Sequence, residues 1–148
     1  MTQLKDGKYY IINRASGARV GVSPLDPGFN RWAVGKAPHH LEEHELPAIT
    51  WVLTHKQGDL YHLQVEGGSA IGENGAVYAP PKGEQLWQIL YREGNKAYTI
   101  EKEEKPVPLG WVLRGEDTQV KLAPLPSTKS IPPQFFSTDI WEFKHIGK

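Results

Sequence analysis

The chain has no cysteine among its 148 residues. That absence removes disulfide cross-links, thiolate nucleophiles and cysteine-ligated zinc together. An excess of charge of one sign is also missing. Lys and Arg number 17, Asp and Glu number 17, and the net charge is zero. No basic field exists to draw in nucleic acid or an anionic membrane surface, so neither is expected as a partner. No apolar run approaches the roughly 20 residues of a membrane-spanning helix. The opening residues, Met1-Thr2-Gln3-Leu4-Lys5-Asp6-Gly7, carry no apolar stretch of the kind a secretory signal needs. The expectation is a cytoplasmic or unconventionally released chain. Its length fits one domain, residues 1–148, able to bury about two-thirds of its unfolded surface. A monomer is expected.

Helical periodicity is also scarce. Leu41 to Leu46 could form one helical turn before Pro47, but no segment sustains an apolar period of 3.6. Turn formers are plentiful, with 15 Gly and 12 Pro. Short alternating segments lie between them. Gly7-Lys8-Tyr9-Tyr10-Ile11-Ile12, Leu60-Tyr61-His62-Leu63-Gln64-Val65 and Ala97-Tyr98-Thr99-Ile100 share a Tyr-x-aliphatic core. Trp51-Val52-Leu53, Trp87-Gln88-Ile89 and Trp141-Glu142-Phe143 interleave with them. Lys56-Gln57-Gly58-Asp59 and Glu93-Gly94-Asn95-Lys96 separate successive members with hairpin-turn chemistry.

Each interval repeats internally as well. Val34 to Pro38, Val77 to Pro80 and Val120 to Pro124 match one another. Each follows a further strand candidate: Ala18 to Val22, Ser69 to Gly72, and Gly110 to Leu113. Three units of four short strands, with a period of roughly forty to fifty residues, predict an all-β protein of β-trefoil architecture.

One stretch stands outside the repeat. In Ser127-Thr128-Lys129-Ser130-Ile131-Pro132-Pro133-Gln134-Phe135, a long cationic side chain sits between two small hydroxylated residues. The two prolines fix φ, and each restricts the residue before it to extended conformations. A segment already extended loses little entropy when a protease binds it as a substrate.

The run resembles the reactive loop of Bowman–Birk trypsin inhibitors and of the cyclic sunflower trypsin inhibitor. That resemblance implies that Lys129 fills the specificity pocket of a trypsin-like serine protease. It makes Lys129–Ser130 the scissile-type bond and Ile131–Pro132 a cis peptide. Thr128 would pack in the neighbouring subsite, Ser130 would fit the leaving-group side, and Ile131 would add apolar contact. Pro132 and Pro133 would stiffen the turn. Those families close the loop with a disulfide at the positions of Ser127 and Phe135, which is impossible here. Phe135, Phe136 and Leu125 are the residues expected to pack the loop's base onto the barrel.

Over nearly its full length the chain also resembles the fungal β-trefoil serine protease inhibitors typified by cospin and cnispin. The shared features are the Gly-x-Tyr-x-Ile opening, the Trp-x-aliphatic strands, Gly110-Trp111-Val112 and the proline-rich loop before Trp141. The pattern is nearer to cnispin, whose inhibitory lysine lies between the last two strands, as Lys129 does. The resemblance implies a defence protein that inhibits proteases, with no catalysis and no cofactor of its own.

Other residues compete for a role. The loop Ser23 to Arg31 is rich in Pro and Gly, and in cospin the inhibitory asparagine lies in this loop. Asn30 and Arg31 are therefore candidates for a second bait. Asn74-Gly75 would suit an asparagine-specific protease, but it is first a hairpin turn. His39, His40 and His44 flank Glu42 and Glu43 without a helical frame, so a solvated loop is expected rather than a metal site. No strand-turn-helix nucleophile elbow is present. Ricin-B-type lectins carry Gln-x-Trp in their repeats, and this chain has it once, at Gln85-Leu86-Trp87. A carbohydrate-binding trefoil is thus an alternative. Inhibition of papain-like cysteine proteases, as in the mycocypins, is another.

Overall fold

The computed structural model describes residues 4–22, 31–36, 43–81, 83–102, 107–115 and 118–147. The first unit comprises β1 (Gly7–Asn13), β2 (Arg19–Val22), β3 (Ala33–Lys36) and β4 (Trp51–Gln57). The second comprises β5 (Leu60–Val65), β6 (Gly68–Ser69), β7 (Ile71–Glu73), β8 (Ala76–Tyr78) and β9 (Leu86–Arg92). The third comprises β10 (Ala97–Lys102), β11 (Leu109–Val112), β12 (Lys121–Ala123) and β13 (Trp141–Gly147). The expected pattern of four holds, except that the second strand of the middle unit is split at Ala70 into β6 and β7.

The long strands close on themselves. β1 pairs β4, β4 pairs β5, β5 pairs β9, β9 pairs β10, β10 pairs β13 and β13 pairs β1, all antiparallel. A closed ring leaves no exposed sheet edge to template aggregation. The short strands form hairpins, β2 with β3, β7 with β8 and β11 with β12. Bridges Trp32↔Tyr78, Val34↔Gln119 and Lys121↔Ala76 tie the three hairpins into a cap. A six-stranded barrel capped by a triangle of hairpins is the β-trefoil.

Period-2 alternation explains the register. β1 has Tyr9, Ile11 and Asn13 buried, and β5 has Tyr61, Leu63 and Val65 buried. The interior also receives four of the five tryptophans, all fully buried: Trp51, Trp87, Trp111 and Trp141. Three of them satisfy their indole N–H in equivalent ways. Trp51 donates to Val20 O at 2.9 Å, Trp87 to Ala70 O at 2.9 Å and Trp141 to Trp111 O at 3.0 Å. Each bond joins the last strand of a unit to its second-strand position. Trp32 is the exception and is largely exposed.

The helical turn expected before Pro47 is a 3-10 helix, Glu43–Ile49, that runs through the proline. Buried Ala48 and Ile49 hold it in place. Among the described residues no helix is long and apolar enough to cross a membrane.

Candidate functional site

The segment between β12 and β13 projects from the barrel. Its limbs meet at the antiparallel bridge Ser127↔Phe135, where Thr128 N donates to Gln134 O at 2.8 Å. Within that ring the hydroxyls form a directed chain. Gln134 N–H donates to Thr128 Oγ1 at 3.0 Å, and Ser130 Oγ donates to Pro132 O at 2.9 Å. Thr128 Oγ1 and Ser130 Oγ lie 2.5 Å apart. Because the Ser130 proton is committed to Pro132 O, the Thr128 hydroxyl is the donor in that middle link. A chain of this kind polarises along its length, and every hydroxyl in it is both donor and acceptor.

Lys129 sits at the centre of this chain with its own side chain exposed. Ser130, Pro132 and Pro133 are also exposed, and Ile131 is 99% exposed. The Ile131–Pro132 peptide is cis. Thr128, Lys129, Ser130, Ile131, Pro132 and Pro133 are thus brought together in one solvent-facing loop whose backbone is internally bonded.

The base of the loop differs from expectation in one respect. Phe135 is half-buried and Leu125 packs against Gly110, where an added Cβ would collide with the leucine side chain. Phe136, however, is 63% exposed and does not pack the base. The turn between β9 and β10 takes its place. Asn95 Oδ1 accepts from Phe135 N at 2.9 Å, and Asn95 Nδ2 donates to Phe135 O at 3.1 Å. The Arg92 guanidinium lies 4.8 Å from the Phe135 ring centroid. It is held there by Thr99 Oγ1 at 3.0 Å and Glu101 Oε2 at 2.6 Å. Gly94 meets the loop backbone so closely that a Cβ would collide with Pro133 O. The sequence marks Glu93-Gly94-Asn95-Lys96 only as a turn. Nothing local indicates that Asn95 reaches a partner 40 residues away.

At the exit, Asp139 closes a short 3-10 turn, Ser137–Asp139, and is fully buried. Its Oδ1 accepts from Thr138 Oγ1 at 2.9 Å, while Oδ2 has no hydrogen-bond partner among the described residues. Burial raises its pKa above the ordinary aspartate value of 3.8, against smaller lowering effects from the Thr138 bond and the Arg114 charge.

The remaining candidates separate cleanly. Arg31 is not a presented bait: it is only 6% exposed. Its guanidinium donates to Ala79 O, Val65 O and Glu66 O. A buried cation satisfied by three carbonyls is a structural clasp. Asn30 lies outside the described residues. Asn74 and Gly75 adopt φ of 50° and 74°, the left-handed pair that a two-residue hairpin turn requires. His39, His40 and Glu42 lie outside the described residues. Among the described residues no cluster of three or more His, Cys, Asp or Glu is placed to hold a metal. The Gln-x-Trp segment serves the fold, since Gln85 Oε1 accepts from Gly72 N at 2.9 Å and Trp87 is buried.

The family described as peptidase inhibitor I66 matches residues 1–145. Among solved structures, a proteinase inhibitor from Coprinopsis cinerea superposes with a TM-score of 0.79 at 21% identity. That match covers 97% of this chain and 100% of the other. The Rhizoctonia solani agglutinin matches with a TM-score of 0.73 at 15% identity, over 97% and 98% of the two chains. A ricin B-like lectin from Macrolepiota procera, in complex with lactose, gives 0.70 at 19% identity over 97% and 99%. At such identities the likeness establishes the trefoil and no more. A search of curated protein sequences finds no match.

Proposed function

The chain belongs to the peptidase inhibitor I66 family, and from that premise we propose that it inhibits trypsin-like serine proteases through the loop between β12 and β13. The observation that carries this reading is the exposed Lys129 between two hydroxyls locked in a hydrogen-bond chain. A trypsin-like enzyme offers a deep pocket floored by a carboxylate. The Lys129 ammonium would meet that carboxylate in a desolvated site, where charge pairing is strong. Thr128 would contact the adjoining subsite, and Ser130 and Ile131 would lie on the leaving-group side. The protease can cut Lys129–Ser130, but limbs joined by Thr128 N→Gln134 O hold the new termini in register for religation. Preorganised inhibitors of this type reach nanomolar to picomolar affinity, about −12 to −16 kcal/mol.

Titrating trypsin, chymotrypsin and papain with the purified protein tests the reading. Stoichiometric loss of trypsin activity with papain untouched is the expected result. Inhibition of papain alone would move the protein to the cysteine-protease inhibitors. Binding on a glycan array without inhibition of any protease would move it to the lectins.

A further inference from the structure

We propose that Asn95 is the positioning residue that keeps the loop an inhibitor rather than a substrate, doing without covalency what a disulfide does elsewhere. This rests on the inhibitor reading above. An exposed peptide with a lysine is ordinarily cut and released. Inhibition requires that the limbs on both sides of the scissile-type bond stay in place after cleavage. On the primed side, the two hydrogen bonds that tie Phe135 to the neighbouring turn both come from the Asn95 side chain.

Asn95 grips both polar groups of one residue, Phe135 N–H at 2.9 Å and Phe135 C=O at 3.1 Å. That pairing imitates a strand partner and fixes the amide orientation, with Oδ1 towards the N–H. Phe135 is the residue that bridges Ser127, so fixing it fixes the ring's closure. Two further contacts act on the same limb. Arg92, anchored by buried Glu101, covers the Phe135 ring. Gly94 lets the turn approach Pro133 O to a distance that any Cβ would prevent. The left-handed conformation of the turn falls on Lys96, at φ 54°. Gly94 is thereby spared for the close approach and Asn95 for the grip. The Asn95 side chain bonds the Phe135 backbone and not Lys129, so its action is through the loop backbone.

The test is Asn95→Ala beside Asn95→Asp, with two readouts. The first is hydrogen exchange of the Phe135 amide, which needs no protease. The second is the rate at which trypsin cleaves Lys129–Ser130 in the complex. Losing two hydrogen bonds should speed cleavage about tenfold to a hundredfold. Phe135 exchange should accelerate, while core amides such as Ile100 stay protected. Asn95→Asp keeps the acceptor for Phe135 N–H and should fall between. An oxidised Ser127→Cys/Phe135→Cys pair in the Asn95→Ala background should restore slow cleavage, because it replaces the same constraint by a covalent one.

Wild-type exchange at Phe135 in Asn95→Ala would overturn the clamp, whatever the protein does to trypsin. Faster exchange with unchanged cleavage would overturn its role in inhibition. If the wild-type protein inhibits no serine protease, Phe135 exchange alone decides whether Asn95 braces the loop, and only the inhibitor reading falls.

Discussion

A bait side chain contributes almost nothing to folding and almost everything to docking, and Lys129 has the exposure that such a division requires. Hot-spot truncations at interfaces cost on the order of 4–8 kcal/mol in the strongest cases. Lys129→Ala should therefore weaken trypsin inhibition by about a thousandfold or more. Lys129→Glu should be worse, since it sets a carboxylate against a carboxylate. Lys129→Leu should turn preference towards chymotrypsin, whose pocket is apolar. Lys129→Arg should be nearly neutral. Melting temperatures of all four should stay with the wild type, because exposed substitutions usually shift stability by no more than about 0.5 kcal/mol. Undiminished inhibition by Lys129→Ala would remove the residue from the site.

Asp139 makes the opposite division. It is fully buried, and that burial raises its pKa. A carboxyl with a raised folded-state pKa takes up its proton in the folded state before the unfolded one as pH falls. Its contribution is thus most favourable below 3.8 and is lost as pH rises through the folded value. Asp139→Asn removes the buried charge while an amide can still accept from Thr138 Oγ1. The variant should melt higher than the wild type at pH 7, and the gap should close as pH falls below 3.8. A variant that melts lower at pH 7 would show that attraction to Arg114 outweighs desolvation.

At the scale of the element, the loop behaves as a ring closed by hydrogen bonds and a neighbouring turn. Without cysteine, its inhibition should be indifferent to dithiothreitol at concentrations that open a disulfide-closed loop. Activity lost in reductant, with the protease itself controlled, would contradict closure by the scaffold. The ring was legible in the sequence because its parts are contiguous: prolines, hydroxyls and lysine lie within nine residues and act on one another. The clamp was not. Asn95 and Phe135 are 40 residues apart, and an Asn beside a Gly in a hairpin already has a sufficient local explanation. Arg31 departs from the bait expectation for a related reason: a Pro- and Gly-rich neighbourhood and a family resemblance place a loop but not the direction in which its last side chain turns. The residue turns inward because three carbonyls, of Ala79, Val65 and Glu66, lie within its reach. Sequence shows where a chain turns, and only the fold shows what the turn then touches.

At the scale of the whole molecule, the threefold repeat was readable because each unit needs the same two strand types to close one barrel. What the repeat could not show is how the three units meet at the centre. Trp51, Trp87 and Trp141 are equivalent, each with its N–H given to a second-strand carbonyl. Trp111 has no counterpart. Its ring stands edge-on to all three, at centroid distances of 6.0, 5.5 and 5.9 Å. Its own N–H finds no hydrogen-bond partner among the described residues. The two classes should therefore respond differently to the same substitution. Trp→Phe removes a comparable volume at Trp111 and at Trp87, and a phenyl ring still offers an edge or a face to its neighbours. Only at Trp87 does the change also strand a buried acceptor, Ala70 O, whose uncompensated desolvation costs about 1–3 kcal/mol. Geometry-specific aromatic terms are worth about 0.5–1.5 kcal/mol per pair, and Phe keeps part of each. The hydrogen bond is thus the deciding difference, and Trp87→Phe should be the more destabilising change in urea titration. Equal losses, or a larger one at Trp111, would mean that the central ring's packing outweighs the carbonyl left without its donor. In either variant the loop between β12 and β13 should inhibit as before at temperatures where the barrel remains folded.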